Sequence, residues 1–312
     1  TPATELIGVL DMGASAIRLV VAEIHNRRNV RIIEEASRGV LLGRDTFSGG
    51  LIRSQTVDAA IEALDGFREI MDGYEVRDVR AVATSAVREA RNADMFLDRI
   101  QGRTGIRFEI INEAEESRLV YMAVRHALRR HAALKSARTL LVEVGGGSTS
   151  LTLLRRGQPI RSGVYALGAV RLRQQLDLRR HTQELQVALL KRYIANVVEE
   201  IRLEIPLDRI SHVIAIGGDV RFVASQLTGT QPDADVRELG RDQFLAFCDE
   251  VERMDEDGVV DRFRLPAVEA ETLLPALLIY RTLLSETAGA RMTISSASLP
   301  MRNSPEGTKV IS

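Results

Sequence analysis

Apolar residues recur along the chain in short runs that alternate with longer segments of helical spacing. Ile7–Leu10, Ile17–Ile24 and Val30–Ala36 read as three strands, the last two joined by a hairpin at Asn26-Arg27-Arg28-Asn29. A glycine-bearing loop (Gly43, Gly49, Gly50) follows, and Ser54 stands where it can cap a helix that keeps Val57, Ile61, Leu64, Phe67 and Ile70 on one face. Val79–Ala83 and Arg107–Ile111 are short strands, and Asn112 opens a helix to about Arg130. Leu140–Val144 and Leu151–Leu154 are again strands, with Gly163–Leu172 continuing from a third. Gln183–Leu203 is a long amphipathic helix, and Val213–Ile216 is a buried strand that runs into Gly217-Gly218. Residues 237–254 and 267–286 are helices, Arg291–Ile294 is a last strand, and 303–312 has the aperiodic composition of a loose tail.

Two of these stretches are versions of one another. Val9 to Val21 and Leu140 to Leu154 each read apolar strand, acid, glycine or small-residue turn, apolar strand; 132 positions separate Asp11 from Glu143, Gly13 from Gly145 and Leu19 from Leu151. One internal repeat at that distance predicts two similar α/β domains, 1–124 and 125–302, each opening on an acid-tipped hairpin. Ligands of such sheets bind outside the strand ends, so an interdomain cleft is the expected site.

The turn at Gly145-Gly146-Gly147-Ser148 carries chemistry. Without Cβ atoms the backbone N–H groups can converge on an anion, and Ser148 and Thr149 add hydroxyls. Taken alone, the stretch fits an ordinary glycine hairpin equally well. A carboxylate beside a phosphate site commonly holds Mg²⁺, which is the reading for Glu143. At the end of Val79–Ala83, Thr84, Ser85 and Arg88 form a candidate phosphate cradle at a strand-to-helix junction, where a capped helix with a solvated arginine is the alternative. Asn112 and Glu115 have capping-box spacing, which leaves Glu116 uncommitted one turn into its helix. A carboxylate there can deprotonate a water for phosphoanhydride hydrolysis, although acids also suit the helix dipole at that point.

Bulk properties narrow the partners. The net charge of −1 excludes attraction to polyanions through overall basicity, so DNA is not an expected partner and any phosphate binding has to be local. Arg125-His126 with Arg129, Arg130, His131, Lys135 and Arg138, and the run Arg171, Arg173, Arg179, Arg180, His181, either line a polyphosphate channel or are the wet faces of helices. Cys248 is the only cysteine, which fits a reducing compartment, and the five histidines lack metal-ligand spacing. No signal-peptide pattern and no membrane-length apolar run is present, so a soluble cytoplasmic protein is expected, with no membrane partner and with a homodimer left open.

With these motifs in place the chain resembles the exopolyphosphatase and guanosine-pentaphosphate phosphohydrolase (Ppx/GppA) family of the actin-like superfold, in register from about Ile7 to Leu299. The residues that carry the resemblance are Ala83-Thr84-Ser85-Ala86-Val87-Arg88-Glu89-Ala90-Arg91-Asn92, Glu115-Glu116-Ser117-Arg118-Leu119, Gly145-Gly146-Gly147-Ser148-Thr149 and Leu167-Gly168-Ala169-Val170-Arg171-Leu172. The resemblance implies two actin-like (ribonuclease H-like) α/β domains and a Mg²⁺-dependent phosphohydrolase that releases terminal phosphate from inorganic polyphosphate or guanosine pentaphosphate (pppGpp). Glu116 then matches the catalytic base, Arg88 a phosphate-contacting arginine, and Gly145 to Ser148 the second phosphate loop. Asp11 matches the acid of the first loop, where Gly13 and Ser15 face phosphate; Asp11 and Glu143 would hold the metal.

The chain departs from the pattern at several of these positions. Its first loop reads Asp11-Met12-Gly13-Ala14-Ser15-Ala16 where the family has Asp-x-Gly-Ser-Asn-Ser. Glu143 stands for Asp, Ser150 for Glu, and Ser295 to Arg302 replaces Ser-Asp-x-Gly-Leu-Arg-Glu-Gly. Such losses leave a second expectation, a degenerate member that binds polyphosphate or alarmone as a sensor or scaffold. A third is an actin-like kinase with Gly217-Gly218 at the adenosine, for which the chain offers no acceptor base.

Overall fold

The computed structural model describes residues 4–25, 29–128, 131, 138–229, 236–289 and 291–295. The hairpin tip Asn26-Arg27-Arg28, the basic residues Arg129, Arg130 and Lys135, Ser296 to Arg302 and the tail 303–312 lie outside them. Contacts divide the chain into two compact units, one over Thr1–His126 and one over Ala127–Ser298.

In the first unit, β1 (Thr4–Met12), β2 (Ala16–His25) and β3 (Asn29–Gly39) form an antiparallel meander. Helices α1 (Leu42–Gly49) and α2 (Ser54–Gly73) lead to β4 (Asp78–Ala83), which pairs parallel with β1. Then come α3 (Ser85–Arg88), α4 (Ala93–Thr104), the short parallel strand β5 (Glu109–Ile110) and α5 (Glu113–Ala127), giving the sheet order β3-β2-β1-β4-β5. The second unit repeats the plan. A meander of β6 (Thr139–Val144), β7 (Thr149–Arg155) and β8 (Gln158–Tyr165) is followed by α6 (Ala169–Gln175), α7 (Gln183–Glu204) and β9 (His212–Ile216), parallel to β6. Helix α8 (Gly218–Thr228), strand β10 (Val236–Gly240), helices α9 (Arg241–Glu252), α10 (Glu256–Phe263) and α11 (Ala267–Ser285), and strand β11 (Arg291–Ser295) complete the order β10-β11-β9-β6-β7-β8. Apart from β10 on the edge, the strand orders are the same, and each is that of the actin-like fold.

The 132-residue shift survives in the register. Asp11 lies opposite Arg18, and Glu143 opposite Ser150, at the same rung of the two hairpins. The turn hydrogen bonds also correspond: Gly13 N–H donates to the Ala16 carbonyl (3.0 Å), and Gly145 N–H to that of Ser148 (2.8 Å).

Four sequence expectations need correction. The glycine-bearing segment 43–50 is helix α1: buried Leu42 anchors it, Gly43 fits where a side chain would meet Phe47 and Ala14, and Gly50 closes it in the left-handed region. Ser54 does not cap α2, because Arg53 is the extended N-cap residue. Its N–H and the Thr56 hydroxyl both donate to Asp45 (2.8 and 2.7 Å), a buried carboxylate on α1. The strand expected over Arg107–Ile111 shrinks to β5, since only Glu109 and Ile110 lie in register with β4; Ile106 and Phe108 are apolar because they are buried, not because they are paired. The helix expected from 237 starts at Arg241, after β10 has paired with β11. Gly240 holds the extended N-cap position, where its N–H donates to the Gln243 side chain (3.1 Å).

Each unit has its own apolar core. Leu10, Leu19, Leu64, Phe67, Phe96 and Ile100 belong to the first, and Leu140, Leu151, Ile194, Phe244 and Leu277 to the second. No described helix is long and apolar enough to cross a membrane.

Candidate active site

In the first unit β1, β4 and β5 end side by side. Thr84 N–H donates to the Met12 carbonyl (3.1 Å) and Ile111 N–H to that of Ala83 (3.1 Å), so three chain segments leave the sheet at one level. Strand ends of this kind are where α/β sheets present functional groups. Asp11 on β1, Thr84 and Ser85 after β4, and Glu113 and Glu116 after β5 are gathered there. Thr84 and Ser85 are buried, and the Thr84 carbonyl accepts Val87 and Arg88 N–H, which winds α3 and carries Arg88 toward α5. Thr46 on α1 braces the same turn through its hydroxyl, which donates to the Ala86 carbonyl (2.9 Å).

Arg88 and Glu116 meet. Arg88 Nη1 donates to the Ile111 carbonyl (2.8 Å) and to Glu116 Oε2 (3.3 Å). Its Nη2, 3.7 Å from a Glu113 oxygen, is buried and makes no hydrogen bond. Asn112 caps α5 by accepting Glu115 N–H (2.9 Å), and Arg118 donates twice to the Glu115 carboxylate (2.8 Å each). One residue on, Glu116 points inward, its side chain only 13% exposed.

Burial raises the pKa of Glu116 above the usual carboxylate range; Arg88 opposes the shift, and the charges of Asp11 and Glu113 add to it. Asp11 is raised too, by burial that the Arg18 guanidinium, 3.9 Å away, only partly offsets. Its Oδ1 is buried without a hydrogen-bond partner. The first-unit cluster therefore holds a buried acceptor, a buried donor and a carboxylate of raised basicity. A cation, an anion and a water are what those groups respectively can hold.

In the second unit one turn of α6 fixes the glycine hairpin from behind. Ala169 N–H donates to the Gly145 carbonyl (3.1 Å), Val170 and Arg171 N–H to that of Gly146 (2.9 and 3.0 Å), and Arg171 Nε to that of Gly147 (2.5 Å). A trans peptide sets its N–H opposite its C=O, so the N–H groups of Gly146, Gly147 and Ser148 face away from α6. Backbone N–H groups turned this way can converge on an anion. The close approach needs Gly168, since a Cβ there would lie 2.4–2.5 Å from backbone atoms of Gly146, Gly147 and Ser148. The first unit uses the same device: Gly43 N–H donates to the Ala14 carbonyl (2.9 Å), and Val40 and Leu41 N–H to that of Ser15, tying the Gly13–Ser15 turn to α1.

These supports were missed from the sequence. The signal that finds them is the Leu-Gly pair after the third strand of each half, Leu42-Gly43 and Leu167-Gly168. Part of the second basic run has to be reassigned. Arg171 and Arg173 neither line a channel nor form a wet face: both are buried, one on the Gly147 carbonyl and the other in ion pairs with Glu256 and Glu271.

Comparison with known proteins gives the family. The model of the Ppx/GppA phosphatase family matches residues 20–300. Exopolyphosphatase 1 of Mycobacterium bovis is 28% identical over 273 residues, 85% of this chain and 76% of that protein, and exopolyphosphatase 1 of Mycobacterium leprae is 27% identical over 229. An exopolyphosphatase structure from Cytophaga hutchinsonii superposes with a TM-score of 0.85 at 22% identity, over 95% of either chain. The Aquifex aeolicus Ppx/GppA family member gives 0.75 at 22%, over 96% of this chain and 95% of that one. A family match across nearly the whole chain, on a fold whose hairpins, glycine turn and inward glutamate are all formed, makes this protein a member of the Ppx/GppA phosphatase family.

Proposed function

We propose that the protein hydrolyses the terminal phosphoanhydride bond of inorganic polyphosphate in a Mg²⁺-dependent reaction, with Glu116 as the general base. The observation that carries the reading is the buried Arg88–Glu116 pair beside Asp11: a carboxylate whose pKa burial has raised is a stronger base toward water than an ordinary one. Arg88 orients that carboxylate through Nη1 and keeps Nη2 for a phosphate oxygen. Thr84 and Ser85 frame the same strand end, and the N–H groups of the Gly145–Ser148 turn are assigned to phosphate oxygens, as are Gly13 and Ser15. Asp11 fits a metal because its Oδ1 is a buried acceptor with no partner, and Glu143 is the corresponding acid of the second hairpin. Bound Mg²⁺ would neutralise phosphate charge as the anhydride breaks. In the step itself Glu116 removes a proton from water, water oxygen bonds to the terminal phosphorus, and the shortened chain leaves with the bridging oxygen.

Two mycobacterial relatives named exopolyphosphatase favour polyphosphate over pppGpp as substrate. A second reading, a sensor that binds without turnover, is favoured by Ala14, Ala16 and Ser150, which remove polar or charged groups from the two hairpins. The test is phosphate release from polyphosphate and from pppGpp, with and without Mg²⁺, for the wild type and Glu116→Gln. Release from polyphosphate that needs Mg²⁺ and falls by roughly 10²–10⁴ in the variant is the expected result. Release from pppGpp alone changes the substrate, and binding without release by either protein establishes the sensor.

A further inference from the structure

Strand β6 ends at Glu143 and Val144, directly before the glycine turn, and its parallel neighbour β9 ends at Ile216. The last rung between them is Glu143 with Ile216; at the next position Gly217 swings away at φ 134° to start α8. The sheet splits there, and the parted backbones cannot satisfy each other. The Tyr280 side chain, from the middle of the apolar helix α11, fills the split. Its hydroxyl accepts Val144 N–H (3.0 Å) and donates to the Ile216 carbonyl. Burial keeps the phenol protonated and so able to donate. The fit leaves no slack, since a Cβ on Gly217 would lie 3.0 Å from this oxygen.

We propose that Tyr280 is a positioning residue for the acid-tipped turn of the second unit: its hydroxyl sets how far β6 splays from β9, and so fixes Glu143 and the Gly145–Ser148 cradle. Helix periodicity places position 280 in the core with Leu277 and Leu284, and any large apolar residue would serve that purpose. What apolar packing does not call for is the hydroxyl, which is fully enclosed and spent on two backbone groups from different strands. It joins the two strand ends where the ladder stops.

The inference rests on the phosphohydrolase reading only for its kinetic arm. Tyr280→Phe keeps the ring and removes the bridge, and Leu283→Ala, in the same helix and core, is the control for general loss of stability. Below the melting temperature of either variant, Tyr280→Phe is expected to lower kcat for polyphosphate about tenfold with KM within about twofold, because a misplaced cradle costs most in the transition state. Amide hydrogen exchange over 143–148 should rise in Tyr280→Phe and stay at the wild-type rate in Leu283→Ala. Unchanged exchange over that segment, or an equal loss of kcat in both variants, overturns the proposal. If the wild type releases no phosphate, the phosphohydrolase reading fails, and the exchange comparison still decides whether Tyr280 positions the turn.

Discussion

At the scale of single residues the site turns on what burial does to two carboxylates. Asp11 and Glu116 are both raised from their ordinary values of 3.8 and 4.5, desolvation being the largest cause for each. A base has to be ionised to act, so the acid limb of phosphate release should lie above the pH at which an unperturbed glutamate titrates. Glu116→Gln should remove that limb together with roughly 10²–10⁴ of the rate, read as phosphate release against pH. The same shift acts on stability. A carboxylate whose pKa is raised by folding favours the folded state below its unfolded value, and that contribution is lost as pH rises through the folded value. Asp11 and Glu116 should therefore give the wild-type melting temperature a downward contribution that opens at about pH 3.8 and steepens from about 4.5, shallower in Glu116→Gln, where of the two only Asp11 remains. Glu116 was legible in the sequence because Asn112 and Glu115 accounted for the neighbouring cap. The Arg88 contact was not, as 28 positions separate the pair and only the docking of α3 against α5 joins them.

At the scale of elements, the strands could be read from apolar runs, but the devices that aim their turns could not, because these depend on what lies behind the backbone. Gly168 stood in a family motif with no role attached, yet its missing Cβ is what lets α6 reach the Gly145, Gly146 and Gly147 carbonyls. Gly168→Ala forces backbone atoms apart and should cost about 3 kcal/mol in chemical denaturation, the upper end for overpacking, and abolish phosphate release. Asp45 was passed over because helix α1 was taken for a loop, and its acceptor role for Arg53 N–H and the Thr56 hydroxyl exists only once α1 packs against α2. Asp45→Ala should cost about 2 kcal/mol, the usual worth of hydrogen bonds to a buried charged acceptor. Phosphate release per folded molecule should be retained, since the hydrogen bonds of the Asp45 carboxylate run to Arg53 and Thr56 at the start of α2. A loss of activity in proportion to the loss of stability would show instead that α1 transmits to Arg88 through Thr46 and Ala86.

At the scale of the whole molecule, the expectation of two domains rested on one internal repeat, in which an acid, a glycine and a leucine keep one offset across 132 positions. The repeat turned out to reach further than those residues, through the turn hydrogen bond, the cross-strand pair beneath it and the helix docked by a glycine. A change of offset hid that extension, for the equivalent Leu-Gly pairs, Leu42-Gly43 and Leu167-Gly168, do not keep the spacing of the hairpins. Among the described residues each unit's core is a cluster of its own: the first draws on residues from Leu10 to Phe108, the second on residues from Leu140 to Ile294. Separate cores imply separate cooperative units in hydrogen exchange. Leu64 is fully enclosed in the first core, and Leu64→Ala should remove about 2–5 kcal/mol from it through lost burial and the cavity left behind. Exchange followed by mass spectrometry should then show faster labelling of β1, β2, β4 and α2, with β6, β7, β9 and α11 holding their wild-type rates. Labelling that rises equally in both sets would make the protein a single folding unit, and the repeat a record of its ancestry with no bearing on how it unfolds.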